Sequence, residues 1–219
     1  MAFSVIARDP RTGQIGGACC ARVMASGARV LACATDAGAV LIQHRTDPRL
    51  GPEGLRLLRA GHDAQQTIDL LVASTPHAHW RQIAVLDLAG RSAAWSGARC
   101  KPEVSEAPGR EACVIGTGLA AALAAAAMLR AVGADPALPL AERLMRALEA
   151  GLAAGGNCDG ESSAMLRVMT APDLPLVDLR VDFDPTPVAA LRALWTRFAP
   201  LTGEFLLRAT EPGNPAIRS

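Results

Sequence analysis

FSVIARDPRTGQIGGACCAR, residues 3–22, is the stretch that decides the fold, and it predicts two strands joined by a tight turn. Residues 3–8 are rich in apolar and β-branched side chains that alternate between two faces. The turn lies at residues 9–13, where Pro10 fixes φ at a corner and Gly13 can adopt a positive φ. Two adjacent glycines on the returning strand leave room for a neighbouring backbone. Such a hairpin places the amino terminus of the chain at the end of a strand, where it is available to a site. The alternative is that the hairpin only nucleates a sheet.

The composition predicts one globular domain and argues against some classes of partner. The chain has 219 residues, and half of them are apolar, which is enough for a sizeable core. Its 22 Lys and Arg residues nearly balance its 21 Asp and Glu residues, so no basic excess indicates a nucleic-acid partner. The amino terminus lacks the regions typical of a signal peptide. We interpret the uncharged run at 112–129 as a buried helix behind a glycine turn, and we expect a cytoplasmic protein with no membrane partner.

The cysteines and histidines predict no metal centre. The chain has six cysteines, but no C-x-x-C motif and no Cys–His cluster at the spacing of metal ligands. His77 and His79 are neighbours in the sequence, but no third ligand is near them, and we interpret them as exposed loop residues. We therefore expect buried free thiols in a reducing compartment, and no metal or other cofactor.

Beyond the hairpin, pairs of strands are predicted to alternate with pairs of helices. Asp63 is the predicted N-cap of a helix, and Gln66 completes an approximate capping box. Residues 97–110 are predicted to be irregular, and the tail beyond Pro200 to be poorly ordered. The predicted strands lie at 3–8, 15–22, 38–43, 81–88, 91–95, 165–168 and 176–181, and the predicted helices lie within 51–74 and at 119–132, 140–154 and 185–198. This rhythm indicates a layered α+β sandwich rather than a doubly wound parallel sheet.

Longer motifs carry a resemblance to a known family. They are DPRLGPEGLRLLRAG at 47–61, AGGNCDGESSA at 154–164 and VDLRVDFDPTPVAALR at 177–192, together with Arg81-Gln82 and the pair Gly97 and Cys100. With these motifs the chain resembles DUF1028, a bacterial family of unknown function that is similar to the N-terminal nucleophile (Ntn) hydrolases. The resemblance implies an Ntn-hydrolase-like four-layer αββα sandwich. It implies a single domain over 1–198, followed by a carboxy-terminal tail at 199–219.

The resemblance also implies a type of chemistry. In Ntn hydrolases, the Ser, Thr or Cys side chain of the first residue attacks an amide carbon, and the α-amine of that residue accepts the proton. This chain begins Met1-Ala2-Phe3-Ser4, whereas relatives begin Met-Thr-Phe-Ser. Loss of Met1 would expose Ala2, which has an amine but no side-chain nucleophile. We therefore predict that no covalent acyl-enzyme forms at the first residue.

The candidate site residues come from the positions that match the family. Ser4 is a catalytic candidate or a plain strand serine, and Arg81 binds a carboxylate or forms a surface ion pair. Asn157 and Asp159 are catalytic candidates or form the turn after a helix. The catalytic candidates are Ala2, Ser4, Asn157 and Asp159, and the substrate-binding candidates are Cys20, Gln43, Arg81 and Thr117.

Two functions remain open at this stage. One is an Ntn-type amidohydrolase that acts on the C–N bond of a small molecule. The other is a catalytically silent relative that binds a small metabolite or serves in an assembly. In both cases we expect a small-molecule ligand and a homodimer, because the apolar content exceeds what one domain of this size needs.

Overall fold

The structure is a computed structural model that describes residues 1–100, 103–121, 123–171, 173–214 and 217. Within these residues, the strands form one six-stranded and one four-stranded sheet, in which neighbouring strands are antiparallel. Helices pack against the sheets. The predicted α+β class is confirmed.

The elements follow one another in groups along the chain. Four strands come first: β1 Ala2–Arg8, β2 Ile15–Ala21, β3 Leu31–Ala34 and β4 Gly38–His44. Then come α1 Leu50–Arg59, α2 Ala64–Ser74, β5 Arg81–Asp87, β6 Ser92–Ser96, β7 Val104–Gly109 and β8 Ala112–Thr117. The rest are α3 Ala124–Gly133, α4 Leu140–Ala153, β9 Ser163–Thr170, β10 Leu174–Val181, α5 Pro187–Phe198 and α6 Thr202–Thr210.

The predicted amino-terminal hairpin is confirmed, and β1 lies inside the larger sheet, whose order is β10-β9-β2-β1-β8-β7. Gly13 has the positive φ expected at the turn, 71°. Gly16 is needed on β2 because a Cβ there would lie 2.1 Å from the Arg167 carbonyl oxygen on β9. Ala2 pairs with Ala21 on one side and with Thr117 on the other. The amino terminus is therefore held between two strand ends.

The core consists of three apolar clusters. Phe3 and Val5 of β1 belong to the cluster that α3, α4 and α5 share with the six-stranded sheet. Ala2 and Ile6 belong to a second cluster, which lies between the two sheets and includes Leu41 of β4. The third cluster joins the four-stranded sheet to α1 and α2. Because successive strand residues face opposite sides, Ala2 and Ser4 face the space between the sheets.

Residues 104–117, which form two strands of the six-stranded sheet, differ from two of our sequence predictions. Residues 104–109, predicted to be irregular, form the edge strand β7. Residues 112–117 lie before the predicted helix, in the uncharged run where no strand was predicted, and they form β8, which is buried along its whole length. Short apolar runs that are buried on both faces do not show a period, so the sequence does not distinguish strand from helix there. The helix predicted from Leu119 begins only at Ala124, after Gly118 has turned the chain with a φ of 68°.

The helical predictions are confirmed in part. The capping box of α2 is present: the Asp63 side chain accepts from the Gln66 backbone N–H, and the Gln66 side chain accepts from the Asp63 N–H. The tail, however, continues into α6, which packs on β10, and the rings of Phe198 and Phe205 stack with centroids 5.4 Å apart. Residues 215, 216, 218 and 219 of the predicted tail lie outside the described part of the chain. Within the described part, no helix is long and apolar enough to span a membrane.

Candidate functional site

The amino terminus borders a small cleft where β1, β2 and β4 end. We call it the terminal cleft; its volume is about 50 Å³, and it is lined by Met1, Ala2, Ala21, Val23, Ser26, Arg29, Val30, Gln43, His44 and Thr46. A water molecule needs about 10–15 Å³ of such space, so the cleft has room for a few waters but not for a whole substrate.

The first residue is packed closely at this cleft. The side chain of Met1 lies against Gly118, where a Cβ would come within 2.3 Å of the methionine Cγ. Its sulfur lies 3.6 Å from the Cys158 thiol. Burial, and secondly the Arg22 guanidinium, lowers the pKa of the α-amine from its ordinary value of 8.0. Arg22 also pairs with Asp159 at 3.3 Å, so Asp159 lies in the charged surroundings of the amine. The Met1 amine therefore loses its proton at a lower pH than an ordinary terminus does, and in its neutral form it can accept a proton.

A chain of buried polar side chains crosses the space between the sheets. Ser4 donates to Gln43 at 2.6 Å, and the Gln43 amide donates to Gln82 at 2.6 Å and to the Ala2 carbonyl at 3.3 Å. Gln82 donates in turn to Ser96 at 2.9 Å and to the Gly116 carbonyl at 3.1 Å. We call Ser4, Gln43, Gln82 and Ser96 the inter-sheet polar chain. It holds the terminus in place, and it leaves Ser4 with no exposed surface.

Two other predicted residues are buried with polar atoms that have no hydrogen-bond partner among the described residues. The Thr117 hydroxyl and both polar atoms of the Asn157 side chain form no hydrogen bond to any described residue. Thr117 lies directly beside Ala2 in the sheet. The Asn157 N–H donates to Glu161 at 2.8 Å, which shapes the loop. A buried polar group without a partner costs about 1–3 kcal/mol, so these groups are suited to bind a water or a ligand.

The cysteines divide between the two faces of β2. Cys20 lies in the cluster under the helices and does not reach the terminal cleft, whereas Cys19 lies between the sheets, 3.9 Å from the Ser26 hydroxyl. Burial raises the pKa of both thiols, which makes them poor nucleophiles. Cys158, which we expected to be buried, is exposed. Its position beside Met1 was missed because the sequence does not show that its loop returns to the terminus.

Arg81 lies beside a second and larger hollow. This hollow has a volume of about 400 Å³ and is lined by Arg45, His77, Trp80 and Arg81. The Arg81 guanidinium lies 4.0 Å from Asp47. Arg49 binds that carboxylate more closely and lowers the pKa of Asp47 to about 2. Arg45 and Trp80 were not identified from the sequence, because a balanced net charge does not reveal local clusters of one sign.

Gly97 allows the loop after β6 to pack under this hollow. A Cβ on Gly97 would lie 2.5 Å from backbone atoms of His79, so the two segments would have to separate. We expect Gly97→Ala to lower the free energy of unfolding by about 1–3 kcal/mol. The control is Gly133→Ala at the end of α3, where a Cβ meets nothing within 4 Å. Urea titrations of both variants measure the effect, and an equal stability of the two would contradict the packing described.

In the part of the chain that the structure describes, the histidines and acidic residues are too far apart to share a metal ion. Within the described residues, no group of three or more His, Cys, Asp or Glu side chains could hold a metal ion. The rings of His77 and His79 lie 6.3 Å apart, centroid to centroid.

Comparisons with known proteins agree with the resemblance seen in the sequence. The model of a family described as "Family of unknown function (DUF1028)" matches residues 2–191. The crystal structure of protein SPO2555 from Silicibacter pomeroyi, described with the same family, superposes with a TM-score of 0.84 at 30% sequence identity. The match covers 90% of this chain and 86% of that one. No curated protein matches the chain.

Proposed function

Because the chain belongs to the DUF1028 family, whose function is unknown, we propose that it is an Ntn-hydrolase-like protein that cleaves a small-molecule amide bond. The proposed fold is the four-layer αββα sandwich of that superfamily. It is supported by the three apolar clusters. One lies between helices and the six-stranded sheet, one between the two sheets, and one between the four-stranded sheet and helices. We also propose that the protein acts in the cytoplasm as a homodimer and needs no cofactor.

The observation that carries this proposal is the α-amine of Met1, directly before β1, with its lowered pKa, beside a cleft that has room for water. In the proposed mechanism the neutral amine accepts a proton from a water molecule, and that water attacks the amide carbon. The protonated amine then gives the proton to the leaving nitrogen. Met1 has a thioether and Ala2 a methyl group, and neither is a nucleophile for an amide, so water takes the place of a side-chain nucleophile.

The other candidate residues have supporting parts in this proposal. The unpaired Thr117 hydroxyl, beside Ala2, is a suitable donor to the developing oxyanion. Asn157 has an unpaired amide that is available to the substrate or to a bound water. Gln43 fixes the Ala2 carbonyl, and Arg81 binds an acidic end of the substrate. Cys20 contributes through packing alone, since it faces the helices.

The pH dependence of turnover tests the proposal. For the chain that keeps Met1, we expect slow hydrolysis of short amides or lactams that rises with pH and is half-maximal below pH 8.0, because burial lowers the pKa of the Met1 amine. Acetylation of the terminal amine is the control, and it should abolish the rate while the thermal unfolding temperature stays the same. Turnover that persists after acetylation would show that the amine is not the base.

A second candidate function is binding without catalysis. It is favoured by the missing nucleophile at Ala2 and by Ser4, which is fully buried and already bonded to Gln43. In that case the protein binds a small metabolite, or serves in an assembly, and the same amide panel shows no turnover at any pH.

A further inference from the structure

A group of arginines gathers around Trp80, outside the terminal cleft. The guanidinium carbons of Arg45 and Arg99 each lie 5.4 Å from the centroid of the Trp80 ring, at the distance of a cation–π contact. Arg81 follows Trp80 directly and lines the same hollow. We call Arg45, His77, Trp80, Arg81 and Arg99 the Trp80 cluster.

Among the described residues, a carboxylate lies within ion-pair distance of only one arginine of this cluster, Arg81. Within the described residues, no carboxylate forms an ion pair with Arg45 or Arg99. Asp47 is 4.0 Å from Arg81, but both of its oxygens already accept from Arg49, at 2.9 and 2.8 Å. The Arg81 Nε is buried and forms no hydrogen bond to any described residue. Cations held together in this way attract an anion.

The cluster is built on backbone contacts between separate segments. The Arg45 N–H donates to the Trp80 carbonyl at 3.2 Å, and the Arg99 N–H donates to the His79 carbonyl at 2.8 Å. The Arg81 carbonyl accepts from the Gly97 N–H at 2.9 Å and from the Cys100 thiol at 3.1 Å. These contacts fix the positions from which the arginine side chains project. A ligand would therefore meet a site whose backbone is already in place.

We infer that the Trp80 cluster binds a small organic anion that carries a phosphate or carboxylate group. Guanidinium groups bind both kinds of oxyanion through paired N–H donors. The hollow of about 400 Å³ is of the size that small molecules occupy. The inference goes beyond amide hydrolysis, and it stands even if no amide is cleaved.

The anion site and the terminal cleft are neighbours. The His44 ring, which lines the terminal cleft, lies parallel to the Trp80 ring, with centroids 6.3 Å apart and planes 9° apart. Its Nδ1 lies 2.9 Å from the Trp80 carbonyl oxygen. The stacked rings of His44 and Trp80 therefore connect the linings of the two sites.

Calorimetric titration with inorganic phosphate and with succinate, at low ionic strength, tests the inference. We expect saturable binding of at least one of the two, and a loss of about 10-fold in affinity in Arg45→Gln and in Arg99→Gln, as expected for a lost charge-assisted hydrogen bond. Tighter binding of phosphate identifies a phosphate ester as the ligand class, and tighter binding of succinate identifies a carboxylate. Arg45→Lys keeps the charge without the paired donors and should restore part of the affinity.

The matched control is Arg110→Gln, an equal change of charge at an exposed arginine in the turn between β7 and β8. Because both altered arginines of the cluster are exposed as well, all variants should unfold at the temperature of the wild type. No saturable binding of either anion would overturn the inference, as would an equal loss in Arg110→Gln. Single-stranded RNA that binds far more tightly than either anion would also overturn it and indicate a polyanion surface.

Discussion

A chain that begins with Thr in place of Ala2 is expected to hydrolyse short amides or lactams about 100-fold faster than the chain that begins with Ala2, the lower end of what positioned proton transfer contributes. Ala2 lines the terminal cleft at the end of β1, so the new hydroxyl would lie there too. The α-amine of the same residue would then serve as its base. Gln43 would hold the backbone of that residue through the carbonyl, as it holds Ala2 now.

The experiment needs chains whose first residue is residue 2, prepared by cutting a fusion protein directly before it. Ala2→Val is the matched control, because valine has the shape of threonine without the hydroxyl. Intact mass should reveal an acyl adduct on the first peptide of Ala2→Thr alone. Equal rates in the Thr and Val chains would contradict the prediction. Rapid turnover with an adduct in the wild type would show that Ala2 is not the functional terminus, and silence in all three would favour binding without catalysis.

Gln82→Leu is expected to lower the free energy of unfolding by about 3–5 kcal/mol, because each buried group left without a partner costs about 1–3 kcal/mol. Gln82 accepts from Gln43 at 2.6 Å and donates to Ser96 and to the Gly116 carbonyl. Leucine has a similar volume but satisfies none of these groups. Since single domains are stable by about 5–15 kcal/mol, the change would remove a large share of the total.

Urea unfolding followed by circular dichroism measures this loss. The matched control is Gln65→Leu on α2, where the glutamine is exposed and bonds only to Asp69 among the described residues. Exposed substitutions of this kind usually change stability by less than about 0.5 kcal/mol. A loss below about 1 kcal/mol in Gln82→Leu would mean that water or a rearranged side chain replaces the inter-sheet polar chain.

The features that were predictable from the sequence are local ones. The hairpin of β1 and β2 has its alternation, its turn residues and its glycines within 20 consecutive positions. The capping box of α2 depends on Asp63 and Gln66, three residues apart. By contrast, β8 was not predicted as a strand, because a strand buried on both faces shows no alternation. The helix α6 was missed because its stability comes from packing on β10 and on Phe198.

The sequence by itself determined the element types with strong local patterns, the α+β class and the family, since each depends on residues close together or on their order along the chain. Only the tertiary structure decided which side chains meet. The Ser4–Gln43 hydrogen bond joins positions 39 residues apart on different sheets. The Trp80 cluster draws arginines from three segments in a chain whose net charge is only +1. No local sequence pattern predicts such contacts between distant side chains, because strand register and sheet packing bring those residues together only once the whole core has formed.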